Sequence, residues 1–233
     1  MAQGGGGVSG RVAVVVGAGG ELGRATAIAL TGAGFTVVGV DRNQKALDGL
    51  PEGIRHEVSD TTDQAEAKTL IDRIAAEVGP PEVLVNTIGT FRLGEAVSAT
   101  TEDLRLLMDV NLGAALWLSQ AVEPYMRQRG SGAIVHVSAR PGTEPTAGMA
   151  AYGLSKAALS HLVRILDLEL RPHGIRVNAV APQLLDTSRN RAIFPADALA
   201  HAVQPEAVAG VIAFLVSDLA APVSGAIVPA YGA

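Results

Sequence analysis

Tyr152 and Lys156 stand four residues apart in Ala151-Tyr152-Gly153-Leu154-Ser155-Lys156-Ala157-Ala158. On a helix that spacing sets a phenol and an ammonium on one face. A free phenol has a pKa of about 10, and a neighbouring ammonium favours phenolate, so the pair reads as a proton donor or acceptor usable near neutrality. A second feature lies near the N-terminus, where Gly17-Ala18-Gly19-Gly20-Glu21-Leu22-Gly23 joins an apolar run to a helical stretch. Glycines there permit a tight turn and close backbone approach, and the helix start at Glu21 and Leu22 offers unpaired N–H groups to a pyrophosphate. The spacing differs from the usual G-x-G-x-x-G, so its place between strand and helix carries the reading. Asp41 ends the next apolar run. A carboxylate there accepts hydrogen bonds from an adenine ribose and repels a 2'-phosphate, which favours NAD(H) and leaves NADP(H) open. Arg42 follows it and could pair with a 2'-phosphate, stack on adenine or face solvent.

These groups need elements to position them. Apolar β-branched runs at Arg11–Val16, Thr36–Val40, Ile54–Val58, Val83–Asn86, Ala133–Val137, Ile175–Val180 and Ala226–Val228 read as strands buried on both faces. Helical stretches at Leu22–Thr31, Gln64–Val78, Thr101–Arg129, Ala151–Arg171 and Pro205–Ser217 alternate with them. The alternation predicts an α/β fold: one Rossmann-type, doubly wound parallel sheet of about seven strands flanked by helices. Residues 184–204, with Thr187, Arg189, Arg191 and Pro195, break the pattern and read as a mobile substrate loop.

Composition narrows the function classes. With 233 residues and 48% hydrophobic content, one domain over residues 10–233 suffices, preceded by a glycine-rich tail at residues 1–9 that reads as flexible. Met1–Gly7 lacks the charged and apolar regions of a secretory signal. There are no cysteines, so disulfides, thiol catalysis and cysteine-based zinc sites are excluded. The histidines at 56, 136, 161, 173 and 201 show no metal-ligand spacing and read as structural, so no metal is expected. A formal net charge of -5 without a basic block argues against nucleic acid, and short, interrupted apolar runs argue against a membrane span. The expectation is a cytoplasmic protein acting on a small molecule.

Together these motifs resemble the short-chain dehydrogenase/reductase superfamily from about Gly10 to the C-terminus. The resemblance implies that Gly17, Gly20, Glu21 and Leu22 hold the cofactor and that the acidic residue after the third strand is Glu57, followed by Val58. It implies that Asn86-Thr87-Ile88-Gly89 stands for the family's Asn-Asn-Ala-Gly, with Asn86 and Gly89 retained. Asn111 matches the active-site Asn of the long central helix, where a local irregularity lets it hold a water linking Lys156 to solvent. Tyr152 and Lys156 match the catalytic pair, with Lys156 also binding the nicotinamide ribose. Pro182, Leu185 and Thr187 would border the nicotinamide. The usual catalytic Ser falls on Ala139, beside Arg140, and strand alternation turns Ser138 to the opposite face.

Ala139-Arg140, Gly148-Met149, Asp186-Thr187 and Asn190-Arg191 also resemble the dihydropteridine reductase branch, which implies a reductase of a quinonoid or carbonyl compound that works without that Ser. A nucleotide-binding scaffold that has lost turnover and an alcohol dehydrogenase running in the oxidative direction are the alternatives. Family members pair through the two long helices, so a homodimer or homotetramer is expected, with Leu112, Leu116, Leu162 and Leu166 able to serve either pairing or the core.

Overall fold

Val12–Val16, the most continuously β-branched run of the chain, forms strand β1 with every residue buried. Alternate side chains along it serve two different helical layers. Val12, Val14 and Val16 face one core, and Ala13 and Val15 face the other. We describe residues 10–232 in a computed structural model, and the tail expected to be flexible at residues 1–9 lies outside the described residues.

After β1 the chain runs through α1 (Glu21–Gly32), β2 (Thr36–Asp41), α2 (Gln44–Leu47), β3 (Arg55–Val58), α3 (Gln64–Glu77), β4 (Pro81–Asn86) and α4 (Thr101–Met108). It continues through α5 (Ala114–Arg129), β5 (Gly132–Val137), α6 (Ala150–Leu170), β6 (Ile175–Pro182), α7 (Ser188–Arg191), α8 (Ala196–Leu199), α9 (Pro205–Val216) and β7 (Ile227–Ala230). All seven strands are parallel, in the order β3-β2-β1-β4-β5-β6-β7. Helices α3, α5 and α6 cover one face through Leu70, Leu118 and Val163, and α1 and α9 cover the other through Leu30 and Ile212. This is the expected doubly wound, Rossmann-type sheet.

Strand order reverses beside β1, where β2 lies on one side and β4 on the other. At such a switch point the loops leaving the strand ends diverge and open a crevice. Local signals set the boundaries of the flanking helices. Asp63 caps α3 by accepting from Glu66 N–H, and Thr100 caps α4 by accepting from Asp103 N–H. Gly130, at φ 72°, ends α5 in the left-handed conformation that glycine adopts without strain.

Two expectations change in detail. Thr101–Arg129 is not one α-helix, because a π-turn at Asp109–Gly113 separates α4 from α5. Residues 184–204 carry the short helices α7 and α8, and a bridge between Leu185 and Val203 ties the ends of the segment together. Among the described residues, no helix is long and apolar enough to cross a membrane, and no cluster of His, Cys, Asp or Glu could hold a metal ion.

Candidate active site

The crevice at the switch point consists of two cavities that share Thr87, Gly89, Thr90 and Arg189. The smaller, about 450 Å³, runs along the glycine turn. Gly17 has φ +84°, and a Cβ there would stand 2.5 Å from Thr87 Oγ1. A Cβ on Gly23 would collide with the Gly17 carbonyl, so the turn folds onto the first turn of α1 only with glycine at that position. Gly20 is the N-cap of α1 and offers no side-chain cap. The first N–H groups of α1, at Glu21 and Leu22, therefore have no intrahelical acceptor and suit an anion. The Glu21 side chain is engaged elsewhere, its Oε1 accepting from Ser188 N–H at 2.7 Å and joining α1 to α7.

Asp41 lines this cavity, with Arg42 beside it. The Asp41 carboxylate accepts from Gly19 N–H at 3.2 Å and from Asn43 N–H at 3.0 Å, so the turn itself fixes its orientation. Glu57 and Val58 do not reach the cavity. Glu57 pairs with Arg55 at 3.2 Å and Arg73 at 2.9 Å, and Val58 is an exposed residue opposite Asp41 in the sheet. The chain enters the cavity at the next residue, Ser59, and follows it through Asp60 and the buried Thr61. Hydrogen bonds from Thr62 hold the Asp60 carboxyl below the usual carboxylate range. The carboxylate that lines this end beside Asp41 is Asp60, which the four-residue, largely exposed strand β3 did not betray by any apolar period. The glycine cradle, the free helix-start N–H groups and two carboxylates beyond them fit a dinucleotide.

The larger cavity, about 650 Å³, holds the second set of predicted residues. Tyr152 and Lys156 both line it from α6. Lys156 is buried, and its Nζ donates to the Val137 carbonyl at 2.8 Å. Burial pulls its ammonium down to about 8 and pushes the Tyr152 phenol up to about 12. The expected depression of the phenol by the ammonium is therefore not what this structure holds; desolvation dominates at both groups.

Asn111 sits in the π-turn, the irregularity expected for it. Its Oδ1 accepts from Thr90 N–H, and its Nδ2 donates to the Thr90 carbonyl and to Ser155 Oγ, each at 2.9 Å. Gly89 lies against both partners: a Cβ there would be 3.1 Å from Lys156 Nζ and 3.3 Å from Asn111 Oδ1. Asn86 stands behind this group, its Oδ1 accepting from Ile88 N–H at 3.0 Å and its Nδ2 3.5 Å from the buried His136. His136 also meets Ser119 Oγ at 3.0 Å, and burial holds its imidazole down to about 3, so it is neutral.

Ser138 and Ala139 both border the larger cavity and differ in what they bring to it. The Ser138 hydroxyl is buried, 2.8 Å from Ser160 Oγ and 3.2 Å from the Lys156 carbonyl. Ala139 borders the cavity and brings no hydroxyl to it. Arg140 pairs with Glu144 at 2.8 Å and donates to Gln183 at 3.0 Å. Pro182, Leu185 and Thr187 border the same cavity, and Thr187 Oγ1 also caps α7 by accepting from Asn190 N–H at 3.2 Å. Phe91 and Phe194, absent from the predicted set, form its aromatic wall. The signal available in sequence was scarcity: the chain has four phenylalanines, and two of them meet here.

The family model described as short chain dehydrogenase matches residues 11–198, from β1 through the turn that carries Thr187. The chain belongs to the short-chain dehydrogenase/reductase family. It is an oxidoreductase family whose members use NAD(H) or NADP(H) on small molecules. The chain is 35% identical over 235 residues to 2,3-dihydro-2,3-dihydroxybenzoate dehydrogenase of Escherichia coli (strain K12), covering 93% of each protein. It is 34% identical over 239 residues to L-xylulose reductase of Homo sapiens, covering 97% of this chain and 96% of that one. A solved short-chain type dehydrogenase/reductase from Mycobacterium ulcerans superposes with a TM-score of 0.88 at 27% identity, over 94% of this chain and 87% of that one. In this chain the glycine turn, Tyr152 and Lys156 line one crevice with Asn111 behind Gly89, and Ala139 borders it without a hydroxyl.

Proposed function

We propose that this protein is an NAD(H)-preferring reductase of a quinonoid or carbonyl small molecule, with Tyr152 as proton donor and no catalytic Ser. The observation that supports this most is that Tyr152 and Lys156 line the larger cavity beside Gly89, which both cavities share and which Lys156 and Asn111 flank, with the Ser138 hydroxyl engaged elsewhere. The nicotinamide, when bound, supplies or takes the hydride. Gly17, Gly20 and the N–H groups of Glu21 and Leu22 would hold the pyrophosphate, Asp41 and Asp60 the adenosine end, and Pro182, Leu185 and Thr187 the nicotinamide end. Lys156 would bind the nicotinamide ribose. The Tyr152 phenol, protonated over the whole neutral range, hands its proton to the substrate atom that gains negative charge.

Alanine at position 139 leaves that atom one donor short, and loss of an oxyanion donor costs about 3 kcal/mol where such donors have been removed. Substrates that spread the developing charge over a conjugated system suffer least. Asp41, held toward the cavity by Gly19 and Asn43, supports NAD(H) over NADP(H) by repelling a 2'-phosphate. A second reading, oxidation of a hydroxyl, is favoured by the dihydroxybenzoate dehydrogenase among the relatives. A homo-oligomer is part of the proposal: Leu154 and Leu168 on α6 and Leu104 on α4 are exposed apolar side chains.

The deciding experiment follows NADH absorbance with freshly generated quinonoid dihydropterin and a carbonyl panel, and NAD reduction with alcohols, in wild type, Tyr152→Phe and Ala139→Ser. Reductive turnover that falls by about 10²- to 10⁴-fold in Tyr152→Phe, with NADH binding retained, is the expected result. Turnover seen only with alcohols selects the oxidative reading. NADH binding without turnover of anything would sink both and leave a nucleotide-binding scaffold.

A further inference from the structure

The cavity beside Tyr152 has a graded wall. Phe91 meets Tyr152 edge-on, with centroids 6.1 Å apart and planes at 64°, and lies 5.8 Å from Phe194 at 30°. Arg189 places its guanidinium 5.1 Å above the Phe91 ring. The two steps, phenol to Phe91 and Phe91 to guanidinium, keep the charge within the length of one small molecule from the proton donor.

Two arginines, Arg140 and Arg189, line this cavity and a third, Arg191, follows on α7, and their charges are not equally available. Arg140 is neutralised by Glu144, and it also covers Tyr231 at 4.9 Å. Arg191 is neutralised by Asp186 at 2.6 Å. Arg189 has no carboxylate partner among the described residues; its single polar contact is a long one, 3.5 Å to Thr90 Oγ1. Its backbone is nevertheless anchored, since Asn190 Nδ2 donates to the Leu185 carbonyl at 2.8 Å and Leu185 bridges to Val203. A guanidinium stacked on an aromatic ring keeps its N–H edge free, and that edge matches a carboxylate in two parallel hydrogen bonds.

Building on the oxidoreductase reading above, we propose that Arg189 is the anion-binding residue of the substrate cavity, and that the substrate is a flat or conjugated small molecule carrying a carboxylate. The flat body lies along Phe91 and Phe194, its reacting atom faces Tyr152, and its carboxylate meets Arg189. Arg189 also borders the cofactor cavity, so a pyrophosphate could offer it the same oxyanion chemistry. Phe91, the ring on which the guanidinium rests, lines only the larger cavity, which assigns the charge to the substrate.

Benzoate and benzamide share a shape and differ in charge, so they serve as probes. Their binding to wild type, Arg189→Gln and Arg189→Lys is measured by ligand-observed NMR, with and without NADH, and NADH affinity is measured by its fluorescence. Wild type is expected to bind benzoate at least about tenfold more tightly than benzamide, a gap that Arg189→Gln erases and Arg189→Lys partly restores, with NADH affinity within about twofold throughout. Equal binding of the two probes by wild type, or a gap that survives Arg189→Gln, overturns the proposal. So does a parallel loss of NADH affinity in Arg189→Gln, which would give the guanidinium to the cofactor. The readout is independent of turnover: if wild type oxidises no NADH while the benzoate gap depends on Arg189, the reductase reading fails and the anion site stands.

Discussion

The two ends of the crevice are made of different material. Along the glycine turn the surface that faces a ligand is backbone, held by β1, β2 and α1, and almost any added atom collides: Gly17 with Thr87, Gly23 with the Gly17 carbonyl. Beyond Tyr152 the surface is side chain, contributed by Phe91 after β4, Arg140 after β5 and Arg189 and Phe194 between β6 and α9. The first end is inseparable from the fold, because the turn that would hold a pyrophosphate also seats α1 on the sheet. The second can change residue by residue without disturbing a strand. On the proposed function, recognition of a shared cofactor and recognition of a particular substrate would thereby fall in separate structural layers.

Three experiments sharpen this contrast. The largest effect is expected at Gly23→Val, whose side chain must displace backbone, so stability falls by at least about 3 kcal/mol together with NADH binding. A denaturation midpoint close to wild type would show that the turn has slack and that the backbone end is less rigid than its contacts imply. The next tests a buried charge at the other end. The ordinary Lys value is 10.5, and Lys156 in the fold sits at about 8. Between those values the unfolded chain keeps a proton that the folded chain has lost, so stability rises with pH across that window and carries its full penalty below it. The total is ~3 kcal/mol. Urea midpoints at pH 8 and pH 10 should therefore diverge in wild type and converge in Lys156→Met. The smallest effect belongs to Asp41→Asn, which removes one repulsive charge and should shift the ratio of NADPH to NADH affinity by about tenfold, roughly 1.4 kcal/mol, in fluorescence titrations. An unchanged ratio would transfer that role to Asp60 or Arg42.

What could be read from the sequence follows the same division. The glycine turn, the Tyr152–Lys156 pair and the parallel sheet are encoded by residues close together in the chain, whose spacing is itself the signal. Glu57 lies outside the cavity that Asp60 lines, and β3 is short and mostly exposed, so no alternation marks where the strand stops and the cavity begins. The phenol's raised pKa was hidden because burial, which outweighs the nearby ammonium, is a property of the packed fold. Phe91, Arg189 and Phe194 belong to segments about a hundred residues apart, joined only when β4 and β6 come to lie on either side of β5. Ser138 is a mixed case. Alternation predicts a hydroxyl facing away from the site, and the hydroxyl is bonded to Ser160, yet the residue itself still borders the larger cavity.

The π-turn at Asp109–Gly113 gives the molecule an unusual tolerance. Such a turn spans one more residue than an α-helical turn while leaving the helices on either side in phase. Removing one residue from a strand flips every later side chain to the wrong face. Removing Val110 here would instead close the turn into ordinary α-helix, leaving Leu107 and Leu118 at their posts while drawing Asn111 away from Thr90. A change in chain length, usually the harshest of edits, would be nearly silent in the scaffold and felt only at the site.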